Sequence, residues 1–365
     1  MYLSHMTLDN FRNYEQCSLT FPPEGAVLYG LNGSGKTNLL EALFFVCTAR
    51  SQRQASREEM IRFASDYSYL EGTFSDSNSS AQDTVSIGFS RDKKVSMQIN
   101  GAPAAAFSQW LGHATVISFG PDDIQLVQGQ PKERRAFLDL LVSQMDPVYL
   151  ESLIVYRRNL AQRNALLTAK IDDMQIDAYE RAMAVSGAAI FVRRRKIIDF
   201  MREPFAGLYG EISGGSELAS LEYKPSLQCD SDTQKDWENV FYTCLKNARN
   251  KDILNGFSSI GPHRDDVAMF LDGKAAKTFA SQGQCTTLTL SLRMSSILCC
   301  EAYNKHTMIF LFDDALTYLD TVRMSRVFPL VKNRGQIFVA TSSERDMQLE
   351  ALPRITIAHG QAVTM

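Results

Sequence analysis

No stretch of this chain approaches the roughly 20 apolar residues that a helix needs to cross a bilayer. The longest candidate, 39–49, is interrupted by Glu41. The first residues, Met1-Tyr2-Leu3-Ser4-His5-Met6, hold neither a basic region nor an apolar core, so no secretory signal is expected. Cysteine is sparse: seven residues (Cys17, Cys47, Cys229, Cys244, Cys285, Cys299, Cys300), an odd number without any Cys-x-x-Cys spacing. That argues against a zinc site or a disulfide framework and for reduced thiols in a cytoplasmic protein. An excess of one charge is also missing. The 38 Lys and Arg residues stand against 41 Asp and Glu, a formal net charge of −3. Composition therefore does not announce nucleic-acid binding, and any such contact must come from local basic patches. There is no internal repeat and no low-complexity segment. With 45% hydrophobic and 22% charged residues over 365 positions, the chain is of ordinary globular composition, long enough for a large core and two lobes.

What is present is a complete phosphate-binding loop, Gly30-Leu31-Asn32-Gly33-Ser34-Gly35-Lys36-Thr37. It follows the apolar run Ala26-Val27-Leu28-Tyr29 and opens a helical stretch beginning Asn38-Leu39-Leu40-Glu41-Ala42. Strand, glycine loop and helix in this order turn a string match into a site. The glycines let successive N–H groups curl around a phosphate, and the positive end of the helix points at the same anion. Lys36 can reach the β and γ phosphates, and the Thr37 hydroxyl can ligate Mg²⁺. The expected ligand is a nucleoside triphosphate, held by 30–37 together with Asn38.

Three textures follow one another along the chain. Residues 1–121 mix strand and helix, with strand patterns at 84–89, 95–99 and 115–119, a hairpin turn at Asn100-Gly101, and a polar loop over 75–83. Residues 122–255 are helical, and 157–200 suits a pair of antiparallel helices forming an arm, without room for a long coiled coil. Over 256–365 strands return. An Asp272-Gly273 turn ends one of them, and two continuous apolar runs, 308–312 and 336–340, suit a sheet covered on both faces.

The first of those runs delivers Asp313 and Asp314 at its C-terminal end, where an open α/β sheet presents its ligand-binding groups. Asp313 can hold a Mg²⁺ that bridges the β and γ phosphates, and Asp314 can orient the attacking water. The pair lies far downstream of the loop, so either a large insertion splits the ATPase or its head is assembled from the two ends of the chain. Ser281-Gln282-Gly283-Gln284 opens a helix that leads to the same strand, the arrangement found in ATP-binding-cassette proteins. A serine hydroxyl, a glycine N–H and a helix N-terminus make a second γ-phosphate grip. Serving the nucleotide of a second copy, it would make ATP the glue of a two-fold dimer.

With these residues in place the chain resembles the RecF family, in the SMC/Rad50-like branch of ATP-binding cassettes. The resemblance runs through Leu8-Asp9-Asn10-Phe11-Arg12-Asn13-Tyr14, the phosphate loop, Pro131-Lys132-Glu133-Arg134-Arg135-Ala136-Phe137-Leu138-Asp139, Gln162-Arg163-Asn164, Gly261-Pro262-His263-Arg264-Asp265-Asp266, the Ser281 string, and Asp313-Asp314 with Leu319-Asp320. It implies an α/β ABC-type ATPase head, a mixed sheet with its phosphate loop, assembled from N- and C-terminal segments around an inserted helical lobe. It further implies a cytoplasmic, weak DNA-dependent ATPase that dimerises on ATP and Mg²⁺. It would sit on DNA near single-strand/double-strand junctions, and work with RecR and RecO to load RecA. By the same resemblance Arg12 lies by the nucleotide and Gln128 contacts the metal; for Gln128 a plain loop residue is the competing reading.

The sequence also departs from the family. Cys285-Thr286 stand where a Gln-Arg pair is usual, and Thr341-Ser342 stand where many cassettes carry a histidine; Asp314 stands where most cassettes have glutamate, an aspartate that RecF-like proteins generally share. The departures at Cys285-Thr286 and Thr341-Ser342 motivate an alternative, a non-hydrolysing ATP-regulated clamp or adaptor for protein partners. Two basic patches are candidates for DNA contact: Arg193-Arg194-Arg195-Lys196, and Lys132 with Arg134, Arg135, Arg157, Arg158 and Arg163. The commoner fate of such runs is a solvated helix face.

Overall fold

The computed structural model describes residues 1–76, 80–105, 107–111, 113–169, 173–215, 217–303, 308–313, 321–342, 352–358 and 360–364. Its chain divides into two compact units, Met1–Asp123 with Asn304–Met365, and Ile124–Tyr303.

Among the described residues the first unit contains two sheets. One has the order β2-β1-β4-β5-β6-β7 and is antiparallel throughout, from β1 (Tyr2–Phe11), β2 (Tyr14–Thr20), β4 (Tyr67–Ser75), β5 (Gln82–Ser90), β6 (Val95–Ile99) and β7 (Ala102–Pro103). The other has the order β15-β14-β3-β13-β12-β8, built from β3 (Gly25–Tyr29), β8 (Thr115–Phe119), β12 (Met308–Asp313), β13 (Gly335–Thr341), β14 (Arg354–Ala358) and β15 (Gln361–Thr364). Its strands run parallel except β15. Strands β8, β12 and β13 are buried along almost their whole length, which is why their sequences read as unbroken apolar runs. Helix α1 (Lys36–Thr48) packs against β8, β12 and β13 on one side and β1, β4 and β5 on the other. It is buried at every position but Thr37 and Asn38, so it carries apolar residues all round in place of a single stripe. The buried Gln336 amide staples the two sheets: Oε1 accepts from Leu3 N at 3.0 Å, and Nε2 donates to Leu3 O and Pro22 O at 2.9 Å. Asn100 and Gly101 take the left-handed turn that their sequence announces. The polar loop expected over 75–83 is shorter than its composition suggests, because Ser75 pairs with Gln82 and Phe74 with Asp83 in the β4–β5 ladder.

The second unit is mainly helical. After the short α2 (Arg57–Met60) and α3 (Phe107–Trp110) of the first unit come α4 (Gln125–Gln128), α5 (Pro131–Met145), α6 (Pro147–Ala169), α7 (Asp173–Ser213), α8 (Gln234–Asn255), α9 (Ala276–Phe279) and α10 (Gln282–Tyr303). A small sheet accompanies them, with the order β11-β10-β9, from β9 (Ala219–Lys224), β10 (Asp266–Leu271) and β11 (Lys274–Ala275). Among the described residues the longest helix is α7, at 41 residues, about 60 Å. It is the spine of the unit, packing against α6, α8, α10 and β9. Residues 256–303 group with this unit, whereas the return of strand texture at 256 suggested the other. The reason is that β10 pairs with β9 and α10 lies along α7. A last helix, α11 (Thr321–Val331), belongs to the first unit.

Buried charge organises the second unit. Arg194, 2% exposed on α7, donates to Asp139 Oδ1 and Asp265 Oδ2 at 2.7 Å, to Pro262 O at 2.7 Å and to Tyr149 Oη at 3.0 Å. Burial alone would raise the Asp139 carboxyl, but Arg194, the Tyr149 hydroxyl and Arg157 hold it below its ordinary value. Arg163, fully buried, is bound by Glu180, Asp252 and Ser258. His263 Nε2 faces the Ser258 carbonyl at 3.0 Å, which can only accept, so Nδ1 accepts from Tyr156 Oη at 2.6 Å. Gly261 adopts φ +135° beside them, where a Cβ would come within 2.3 Å of Tyr156 Oη.

Two outcomes follow from this network. Arg194→Ala leaves Asp265 without its ion-pair partner and Asp139 with Arg157 alone, and is expected to cost the second unit about 3–5 kcal/mol. The measurement is urea unfolding read from Trp237, buried in that unit, in a Trp110→Phe background. Burial, with the charges of Arg264 and Arg135, pushes His263 down to about 4. A histidine depressed in the folded state contributes stability that is complete above about pH 6.5 and is lost as pH falls toward 4. The stability difference between wild type and His263→Gln should therefore change across that window by up to about 1.4 kcal/mol per pH unit, and not above it.

Candidate nucleotide site

The phosphate loop runs from the end of β3 into α1, with Leu31, Asn32 and Gly33 exposed and Ser34, Gly35 and Lys36 buried. Gly35 is the residue before α1 and adopts φ +117°; a Cβ there would lie 2.6 Å from Asn13 Nδ2 and 3.0 Å from Tyr14 Oη. Only glycine gives both the backbone angle and the space. Lys36 Nζ donates to Gly30 O at 2.8 Å and Leu31 O at 3.0 Å, which holds the ammonium across the loop. Ser34 Oγ is buried with no protein partner, an orphan polar atom within the loop. Thr37 Oγ1 donates to Asp313 Oδ1 at 2.8 Å, although 276 positions separate the two residues. A hydroxyl and a carboxylate held this close, at the N-terminus of a helix, form the hard-oxygen pair that a Mg²⁺ bound to phosphates takes from protein. The unpartnered Ser34 hydroxyl and this oxygen pair fit a magnesium nucleotide.

Neighbouring residues shape the loop. Asn13 Nδ2 donates to Ser34 O at 3.2 Å and Asn38 Nδ2 to Asn13 Oδ1 at 2.8 Å. Tyr14 Oη donates to Gly35 O at 2.9 Å, and Gly360 N to Ser34 O at 3.1 Å. The sequence singled out Asn38 but gave Asn13 and Tyr14 no role beyond membership of a family string, and Gly360 carried no signal. Arg12, expected by the nucleotide, directs its guanidinium to α1: Nε and Nη2 grip Glu41 at 2.9 and 3.0 Å, and Nη1 donates to Glu59 O at 2.9 Å. Asp314, with 315–320, lies outside the described residues. Thr341 is buried at the end of β13 and Ser342 is exposed just after it.

In the second unit, Ser281 and Gln284 form a reciprocal cap on α10. Gln284 N donates to Ser281 Oγ at 3.3 Å and Ser281 N to Gln284 Oε1 at 2.6 Å. Ser281 and Gln282 are exposed, and Gly283 is half-buried. Cys285 is fully buried, so that departure from the family alters packing beneath the turn and not the face that it presents. Thr286 is half-buried and donates to Gln282 O within the helix. Gln128, at the end of α4, sends its amide to Cys285 Sγ at 3.5 Å.

Burial splits the two basic patches. Arg134 is buried and bidentate on Asp266, Arg163 and Arg194 are enclosed by carboxylates, and Arg135 donates to Asp265 O at 2.7 Å. Arg157 pairs with Asp139, Arg193 with Asp146, and Arg195 with Asp199 and Asp232. Arg134, Arg163 and Arg194 are therefore structural, removed from any DNA surface by burial; Lys132, Arg158 and Lys196 remain exposed.

Comparison with known proteins places these features in context. The family model described as RecF/RecN/SMC N terminal domain matches residues 2–363. A protein of Bacillus cytotoxicus named DNA replication and repair protein RecF is 34% identical, covering 100% of this chain and 98% of its own. One of the same name from Bacillus mycoides is 33% identical, covering 98% and 96%. A solved structure of the recombination mediator protein RecF with ATP, in the RecFOR pathway, superposes with TM-score 0.90 at 26% identity, covering 100% of this chain and 97% of that one. A Pyrococcus furiosus Smc head domain with an extended coiled coil shares the fold at TM-score 0.57 and 17% identity, covering 100% and 96%.

The oxygen pair makes a specific demand. Thr37→Ala and Asp313→Ala should each weaken binding of a fluorescent ATP analogue about tenfold or more in Mg²⁺, and little in EDTA. Lys36→Ala should abolish it in both. Equal losses in the two conditions for the first pair would mean that they shape the loop and do not hold a metal.

Proposed function

Because the chain belongs to the RecF/RecN/SMC N-terminal domain family and matches RecF proteins over its full length, we propose that it is an ATP-switched, DNA-binding protein of replication and repair. The observation that carries the reading is the 2.8 Å contact between Thr37 and Asp313, which joins the phosphate-loop helix to the carboxylate strand. When bound, ATP with Mg²⁺ supplies a triphosphate whose γ-phosphoryl can be transferred to water. Lys36, the amides of 30–37 and the Ser34 hydroxyl hold the phosphates; Thr37 and Asp313 hold the metal. Arg12 acts one step back, bracing the Asn13 turn against Glu41. Asp314 orients the water, and its short side chain goes with slow turnover. Ser281, Gln282, Gly283 and Gln284 grip the γ-phosphate of a second copy, so that ATP closes a dimer on DNA and hydrolysis releases it. The DNA is a gap or a single-strand/double-strand junction, RecR and RecO are the partners in loading RecA, and the compartment is the cytoplasm. Among the described residues no helix is long and apolar enough to cross a membrane.

Solution mass by light scattering tests the switch. Wild type should pass from monomer to dimer on Mg-ATP, and Ser281→Arg should remain monomeric while binding ATP. Wild type that binds ATP and stays monomeric would overturn the shared-site mechanism and leave the adaptor reading.

A further inference from the structure

Glu217 was not marked by any motif, yet it stands between the spine of the second unit and the Ser281 turn. One of its carboxylate oxygens accepts from Tyr209 Oη on α7, and the other accepts from Gln284 Nε2. Tyr209 is fully buried. Gln284 Oε1 in turn accepts the Ser281 N–H at 2.6 Å. A primary amide can be turned over without change of shape, and only its partners decide which end faces the backbone. A carboxylate only accepts, so it demands the –NH₂ end and leaves Oε1 for Ser281 N. Burial does not impose this choice: Glu217 and Gln284 are both half-buried and share the wall of a cleft of about 280 Å³ with Phe279, Asp272 and Lys274. With the amide reversed, two donors would meet at Ser281 N and the cap would open.

We propose that Glu217 is a positioning residue for the Ser281 turn, orienting Gln284 so that the Ser281 hydroxyl and the first turn of α10 are presented in a single geometry. The inference rests on the shared-site reading for its use in the dimer, but the positioning itself is present in one chain. Gln at 217 retains the function, since its Oε1 accepts from Gln284 while its –NH₂ donates to the Tyr209 oxygen. Ala does not.

The experiment compares wild type, Glu217→Ala and Glu217→Gln by two readouts. Amide hydrogen exchange of the monomer, followed by mass spectrometry, should speed about tenfold at 281–284 in Glu217→Ala and stay within about twofold of wild type in Glu217→Gln. Light scattering with Mg-ATP should show the dimer weakened about tenfold or more in Glu217→Ala only, with ATP affinity of the monomer unchanged. Unchanged exchange in Glu217→Ala, or equal loss in Glu217→Gln, would overturn the positioning role. Altered exchange with an unaltered dimer would overturn its use in dimerisation. A wild-type chain that never dimerises would sink the shared-site mechanism instead, while the exchange result would still decide the role of Glu217.

Discussion

The hydrogen bond from Thr37 to Asp313 depends on a parallel sheet. Strands β3, β13 and β12 are adjacent and point the same way, so their C-terminal ends share one edge of the sheet. The loop leaves β3 at that edge and Asp313 ends β12 there, with β13 between them. Parallel strands of this kind are stable only when both faces are covered. Helix α1 covers one of them while packing on the antiparallel sheet with its other side. The same burial that makes α1 apolar on all sides leaves Thr37 and Asn38 as its only half-open positions. Packing and site are thus two consequences of one arrangement.

The second unit adds clusters of buried charge to its apolar core. Arg163 and Arg194 each carry their guanidinium into the interior and meet two carboxylates, and hydroxyls and carbonyls take the remaining donors. Such clusters tolerate no missing partner, because an uncompensated buried charge costs more than the pair contributes. They bind the turn at 261–266 to α5 and α7, and β10 continues from that turn through β11 and α9 toward Ser281. The string Gly261-Pro262-His263-Arg264-Asp265-Asp266 is accounted for by this role: each of Pro262, His263, Asp265 and Asp266 has a buried or half-buried partner on another element.

Legibility differed between the two kinds of site. The phosphate loop, the apolar strands at 308–312 and 336–340, and the turns at Asn100-Gly101 and Asp272-Gly273 were readable because each depends on local geometry or two-sided burial, which leave a short-range pattern. The arginines were not. A run of basic residues looks the same whether it faces solvent, DNA or a set of carboxylates far along the chain. Arg134 meets Asp266 132 positions away and Arg194 meets Asp265 71 positions away. The departure at Cys285 was visible, but its direction was not: the thiol is fully buried beneath the exposed turn.

The sequence by itself determined that a phosphate loop sits between a strand and a helix, that a carboxylate strand follows far downstream, and that helical texture separates them. It did so because glycine, lysine and alternating or continuous apolar residues act through neighbours a few positions away. Only the tertiary structure decided which side chains meet: Thr37 with Asp313, Arg12 with Glu41, Gln336 with Leu3, and Glu217 with Gln284. Each of these contacts requires a strand order or a helix packing that closes a long loop of chain. The free energy that selects it is spread over the whole core and cannot be read from the residues it joins.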